Sequence, residues 1–163
     1  MSAGIILASA SRTRIALLAA AGVGFAARQV GIDERAVELP LIAAGKSPAE
    51  LALALAEAKA LAVSQSDRAA LVIGADQTLE FGSRRWTKAA TLGEAREQLL
   101  ALAGKTHALH AGLAAARGGR ILWRHVETAR LTMRALAPAE VDAYLGTRSI
   151  NLGSAAGAIG RSG

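Results

Sequence analysis

Ser9-Ala10-Ser11-Arg12-Thr13-Arg14 is the first stretch of the chain whose residue types could do chemistry. It follows a short apolar run and precedes Ile15, Leu17 and Leu18 at helical spacing, so it reads as a loop between a strand and a helix. Small hydroxyl residues let backbone N–H groups approach an anion. The helix N-terminus adds a favourable dipole, and an arginine can fork two hydrogen bonds to a phosphate. The same residues also suit an ordinary serine cap with solvated arginines, because neither G-x-x-x-x-G-K-[ST] nor G-x-G-x-x-G is present. Asp76 closes the apolar run Leu71-Val72-Ile73-Gly74-Ala75. A carboxylate beyond a strand end can hold a divalent metal or orient a water, and it can equally form a turn. Asp33-Glu34, Lys59 and Lys88 complete the set. Acids suit a cation and ammonium groups suit the oxygens of a triphosphate. Spacing alone does not bring these four together, and each by itself also fits a solvated charge.

Other chemistries have less support. The chain has no cysteine, which excludes disulfides, thiolate metal sites and cysteine nucleophiles. His107, His110 and His125 fall on strand-like segments and match no compact ligand spacing, which favours structural or surface roles. Ser9 and Ser11 lack the G-x-S-x-G setting of a hydrolase nucleophile.

The elements that must position these residues alternate in type. Gly4-Ile5-Ile6-Leu7-Ala8-Ser9 reads as a buried strand, followed by a helix that stops at Gly22. Ser47, Pro48 and Glu50 form a capping box that opens a second helix. On it Leu51, Leu55, Ala58 and Ala62 make one apolar face, with Glu57 and Lys59 off that face. A strand ending at Asp76 comes next, then a hairpin over 77–81 and 84–87 with its turn at Gly82-Ser83. Thr91 and Glu94 predict another capping box, on a helix closed by Gly104. A long hairpin turns at Gly118-Gly119, and its second strand carries Trp123, His125 and Glu127 on a mixed, solvated face. Pro138 opens a last short helix that ends at Gly146. The pattern predicts an α/β domain with a mixed central sheet flanked by helices.

Composition agrees with a folded domain. The chain has 163 residues, 52% hydrophobic and 20% charged, enough to bury a sizeable core. Aromatics are only 3%, so the core must be built from Leu, Ile, Val and Ala. The net charge of +6 points toward anionic partners, and by itself leaves nucleotides, nucleic acid or a merely basic surface open. The paucity of aromatic stacking residues argues against a single-strand nucleic-acid binder. The start lacks a basic n-region and a long apolar h-region, and the Ala/Leu stretch over 51–63 is broken by Glu57 and Lys59. The expectation is a cytoplasmic protein without a membrane anchor.

Six segments in order resemble the Maf-like family of nucleoside triphosphate pyrophosphatases, also known as the septum formation inhibitor Maf family. They are Ile6-Leu7-Ala8-Ser9-Ala10-Ser11-Arg12-Thr13-Arg14, Gly31-Ile32-Asp33-Glu34, Ala56-Glu57-Ala58-Lys59-Ala60, Ile73-Gly74-Ala75-Asp76-Gln77, Thr87-Lys88 and Leu102-Ala103-Gly104-Lys105-Thr106-His107. The resemblance covers residues 4–145 of what reads as a single domain over 1–163. It implies an elongated fold of two lobes with a cleft, like that of inosine triphosphate pyrophosphatases. It also implies Mg²⁺- or Mn²⁺-dependent hydrolysis of a nucleoside triphosphate to the monophosphate and pyrophosphate, in nucleotide house-cleaning or division control. On the matching positions it puts Ser9, Ser11 and Arg14 at the phosphates, and Glu34 and Asp76 at the metal. Asp76 also becomes the proton acceptor for the attacking water, while Lys59 and Lys88 stabilise phosphate charge. Gln77 resembles the branch that acts on 7-methyl-GTP. A homodimer is the assembly common in the family. Arg12 and Ala89 stand where the family has proline. Residues 147–163 are atypical, so the expectation is a domain lacking the family's C-terminal strands. An inactive nucleotide-binding remnant and a basic nucleic-acid-binding module are the alternatives.

Overall fold

The computed structural model describes residues 4–147. The elements are β1 (Ile5–Ala8), α1 (Arg12–Ala20), β2 (Ala26–Ala27), α2 (Glu34–Ala43), α3 (Pro48–Ser66), β3 (Leu71–Phe81), β4 (Arg84–Trp86), α4 (Leu92–Leu102), β5 (Thr106–Arg117), β6 (Arg120–Thr132) and α5 (Pro138–Thr147). The strands follow the order β2-β1-β3-β5-β6, with β4 paired to β3. β1 is parallel to β2 and β3, and β4 is antiparallel to β3. The two-residue turn at Gly118-Gly119 permits only an antiparallel β5–β6 hairpin. This is the expected α/β class with a mixed sheet. The described residues divide into two compact units, 4–77 with 110–127 and 78–109 with 128–147. The atypical tail lies outside the described residues apart from Thr147.

In the first unit the sheet is held by α3. Ser47 Oγ accepts the Glu50 N–H at 3.3 Å, and the Glu50 carboxylate accepts the Ser47 N–H at 2.8 Å, forming the expected capping box. The Lys46 ammonium, 2.8 Å away, and then the Ser47 N–H hold the Glu50 carboxyl down at about 2. The buried face of α3 differs from the expected one. It consists of Leu51, Ala52, Leu55, Ala56, Ala60, Val63 and Ser64, whereas Ala58 and Ala62 are only half-buried. Close approach is the reason. A Cβ on Gly74 of β3 would overlap the Ala56 carbonyl oxygen and stand 2.8 Å from Ala60 N, and one on Gly112 of β5 would stand 2.6 Å from Leu53 N. Helix backbone rests on strand backbone, so the alanines face the sheet. Ile6, Ala8, Val63, Val72, Ala114 and Ala116 fill the core around that contact.

Two further differences concern strands and helices of this region. The strand expected to end at Asp76 continues to Phe81, because residues 79–81 pair with β4 after the pairing of 71–74 with β1 has ended. The helix α2 has no counterpart in the sequence reading. Asp33 caps it by accepting the Ala36 N–H at 3.0 Å, and Pro40 sits inside it without an N–H to donate.

The second unit packs Leu79, Leu99, Leu102, Met133 and Val141 into its own core, with Phe81 and Trp86 edge to face at 5.3 Å. Arg96 forks to Asp142 at 2.6 and 3.3 Å and joins α4 to α5. At the start of α4, Thr91 accepts the Glu94 N–H at 3.1 Å, but the Glu94 carboxylate takes the Ala90 N–H rather than that of Thr91. The second expected capping box is therefore only half formed. β6 also departs from its expected single solvated face. Nearly all its residues are exposed, Leu122 and Trp123 by more than half. It comes last in the strand order, beyond the α3 footprint on Gly74 and Gly112.

Candidate active site

The chain leaves β1 toward β2 on one side and later returns to β3 on the other side of β1. A reversal of that kind opens a crevice beyond the carboxyl ends of the two strands, the usual ligand position in such sheets. Ala8 pairs with Gly74, so Ser9 leaves β1 beside Ala75, one residue before Asp76. The two sequence candidates thus lie next to each other where β1 ends and its parallel pairing with β3 stops, with Asp76 inside the longer β3.

Ser9 is buried, and its Oγ accepts the Ser11 N–H at 3.2 Å and an Arg14 guanidinium N–H at 3.3 Å. Ser11 Oγ in turn caps α1, accepting the Arg14 N–H at 3.5 Å. The turn is therefore compact, with a guanidinium folded over it and no acidic residue in the first helical turn to neutralise it. Such a turn suits an anion, since helix N–H groups and a fork of N–H donors share one place.

Lys59 is the centre of a second group. Its Nζ lies 2.6 Å from Asp76 Oδ1 and 2.8 Å from Glu34 Oε1. The Lys59 and Asp76 side chains are each only 12% exposed, whereas Glu34 is 52% exposed and forms the solvent-facing side. Burial pulls the Lys59 pKa down, but hydrogen bonds to Asp76 and Glu34 outweigh it and the net shift is upward. Lys59 is therefore a charged ammonium throughout the physiological range. Lys59 lies off the buried face of α3, but next to buried Ala60 its side chain is largely withdrawn from water.

The remaining candidates are placed as follows. Asp33 serves as the cap of α2. Gln77 is exposed, directly after Asp76. Lys88 is an exposed residue of the second unit. His107 and His110 are buried on β5, and His125 is exposed on β6, stacked on Trp123 at 5.8 Å. Among the described residues, no three His, Cys, Asp or Glu side chains gather around one point. An open pocket of about 570 Å³ lies at the opposite end of β1, lined by Gly4, Ile5, Gly24, Phe25, Arg28 and Asp67. It shares no residue with the site, and its two charged side chains pair with each other at 3.6 Å.

Sequence reasoning missed the Glu34–Lys59–Asp76 bridge and the part glycine plays in it. Gly74 and Asp76 are two residues apart on β3 and thus on one face, the face α3 lies against. The available signal was a lone lysine in an Ala-rich helix and a glycine inside a strand.

The two carboxylates fit a divalent cation. Their oxygens already converge on a single positive centre, and Mg²⁺ sites commonly use one or two carboxylates, with water and substrate phosphate completing the shell. No helix among the described residues is long and apolar enough to cross a membrane.

Known proteins bear on this arrangement. Residues 4–163 match the family model described as Maf-like protein. A 7-methyl-GTP pyrophosphatase of Rhizobium meliloti is 49% identical over 141 residues, covering 86% of this chain and 71% of the relative. A nucleoside triphosphate pyrophosphatase of Caulobacter vibrioides is 46% identical over 144 residues, covering 88% and 72%. Among solved structures, a HAM1 protein from Coxiella burnetii aligns with TM-score 0.49 and 18% identity over 78% of this chain and 70% of that one. A match that runs from the first strand through Ser9, Glu34, Lys59 and Asp76, with close relatives over most of its length, places this chain in the Maf-like protein family.

Proposed function

We propose that this protein hydrolyses a nucleoside triphosphate to the nucleoside monophosphate and pyrophosphate, with a divalent cation held by Glu34 and Asp76. The observation that carries the reading is the convergence of Glu34, Lys59 and Asp76 where the parallel pairing of β3 with β1 stops and β1 leads into the Ser9–Arg14 turn. The names of the Rhizobium and Caulobacter relatives support the same chemistry.

A triphosphate brings several negative charges, and its α–β phosphoanhydride resists attack until they are offset. The Ser9–Arg14 turn receives phosphate oxygens through its N–H groups and the Arg14 fork. Lys59 supplies ammonium charge to the pyrophosphate as it leaves. Mg²⁺ or Mn²⁺, when bound, polarises the phosphoryl oxygens and balances their charge. Asp76 accepts the proton of the water that adds to the α-phosphorus, so the P–O bond to pyrophosphate breaks as the new P–O bond forms. Gln77 follows Asp76 directly in the chain. Together with the name of the Rhizobium relative, it supports 7-methyl-GTP as the preferred substrate.

The test is pyrophosphate release from a panel of GTP, 7-methyl-GTP, dTTP and UTP with Mg²⁺ or Mn²⁺. Release is expected, fastest from 7-methyl-GTP, and Asp76→Asn should lower kcat by about 10² or more. No pyrophosphate from any of them, or an Asp76→Asn enzyme as fast as the native one, would overturn the reading.

A further inference from the structure

Glu34 Oε1 and Asp76 Oδ1 address one point in space, and the Lys59 ammonium stands on it. That point cannot hold two cations at once. Asp76 is carried on a strand whose neighbouring glycine is pressed against α3, so its carboxylate is held in place by backbone packing. The Lys59 ammonium is carried on a flexible four-carbon stem, and it is the part of the site that can move.

We infer that Lys59 and a divalent cation compete for the Glu34–Asp76 pair, so that the incoming metal expels the ammonium from between the carboxylates and releases it toward the bound phosphates. The inference rests on the reading of Glu34 and Asp76 as the metal-holding pair. Two carboxylates, one of them largely withdrawn from water, are costly to bring together without a cation, and Lys59 offsets that cost. A divalent ion replaces one positive charge by two and leaves Lys59 without a partner at this point. The displaced ammonium finds new acceptors only where phosphate oxygens are present. Lys59 thereby couples metal entry to substrate binding: it holds the carboxylates for the metal, lowers metal affinity in the absence of nucleotide, and serves the phosphates afterwards.

The consequence is a pair of effects with opposite signs. Removing the ammonium should strengthen metal binding while slowing turnover. A lysine needed only for folding would weaken both, and one that only contacts phosphate would leave metal affinity unchanged. The experiment is Mn²⁺ titration of the full chain without nucleotide, read as the loss of the free-ion electron paramagnetic resonance signal. Native protein, Lys59→Met, Lys59→Gln and Asp76→Asn are compared. The two Lys59 variants should bind Mn²⁺ about tenfold more tightly than the native protein, and Asp76→Asn should lose the site. Lys59 variants that bind no more tightly, with Asp76→Asn still abolishing binding, would overturn the competition and leave the metal site standing. Binding that is absent in all four, or indifferent to Asp76→Asn, would overturn both. A second measurement needs no variant. The Lys59 ammonium resonance in a ¹⁵N spectrum of the native protein should move on saturation with Mg²⁺, and an unmoved signal would overturn the inference.

Discussion

Gly74→Ala is the most demanding test of how this site is built. The new Cβ would overlap the Ala56 carbonyl oxygen and stand 2.8 Å from Ala60 N and 2.9 Å from Ala60 Cβ. Two of those three neighbours are helix backbone and cannot rotate away. α3 must therefore retreat by about 1 Å to restore ordinary contact. Overpacking against backbone belongs at the upper end of the usual range, about 3 kcal/mol, which lowers Tm by about 6–12 °C in a chain of this size. The retreat also carries Lys59, one residue before Ala60, away from the strand that holds Asp76, and so displaces its ammonium from the phosphates it serves. Misplacement of a catalytic group by about 1 Å costs about 10² in rate. Gly112→Ala is the control. Its Cβ would stand 2.6 Å from Leu53 N, nearly two turns before Lys59, so it should destabilise comparably with a much smaller loss of kcat. Thermal melting by circular dichroism and pyrophosphate release measure the two effects. A Gly74→Ala protein that melts within about 2 °C of the native one, or that keeps native kcat, would refute the close-packing argument.

Three further outcomes follow from the same geometry. Arg14→Gln removes the guanidinium that lies 3.3 Å from Ser9 Oγ and should raise KM for the triphosphate by about tenfold, with a smaller effect on kcat, in steady-state assays. His107 is buried with its Nδ1 unpartnered among the described residues, and burial pulls its pKa below 6.5. The unfolded chain then binds the extra proton, so this contribution is fully present above pH 6.5 and is lost as pH falls through the lower folded value. The melting temperature of His107→Leu should accordingly depend less on pH just below 6.5 than that of the native protein. Ser47→Ala removes the Oγ that accepts the Glu50 N–H and should cost about 1 kcal/mol, read as a fall in Tm of about 2–4 °C.

Local signals and tertiary contacts contributed different parts of this picture. Strand and helix identity was legible wherever the code is local. Ser47-Pro48 with Glu50 marked the start of α3, Gly22 the stop of α1 and Gly118-Gly119 the turn of the long hairpin, because caps and turns are satisfied within a few residues. The site's residue types were also legible, since the hydroxyl, carboxylate and ammonium groups that suit a metal-bound triphosphate lie in six short segments. Three things were not. The length of β3 depended on a new partner, β4, taking over where β1 ends. The buried face of α3 depended on two glycines in distant strands, which let alanines rather than the bulkier apolar residues meet the sheet. The meeting of Glu34, Lys59 and Asp76 depended on that packing of α3, because residues separated by 17 and more positions come together only when helix and sheet are packed. Sequence alone determined which chemical groups are present and which local elements carry them. Tertiary structure decided which of those groups share a point in space, since convergence is set by long-range packing that no local periodicity encodes.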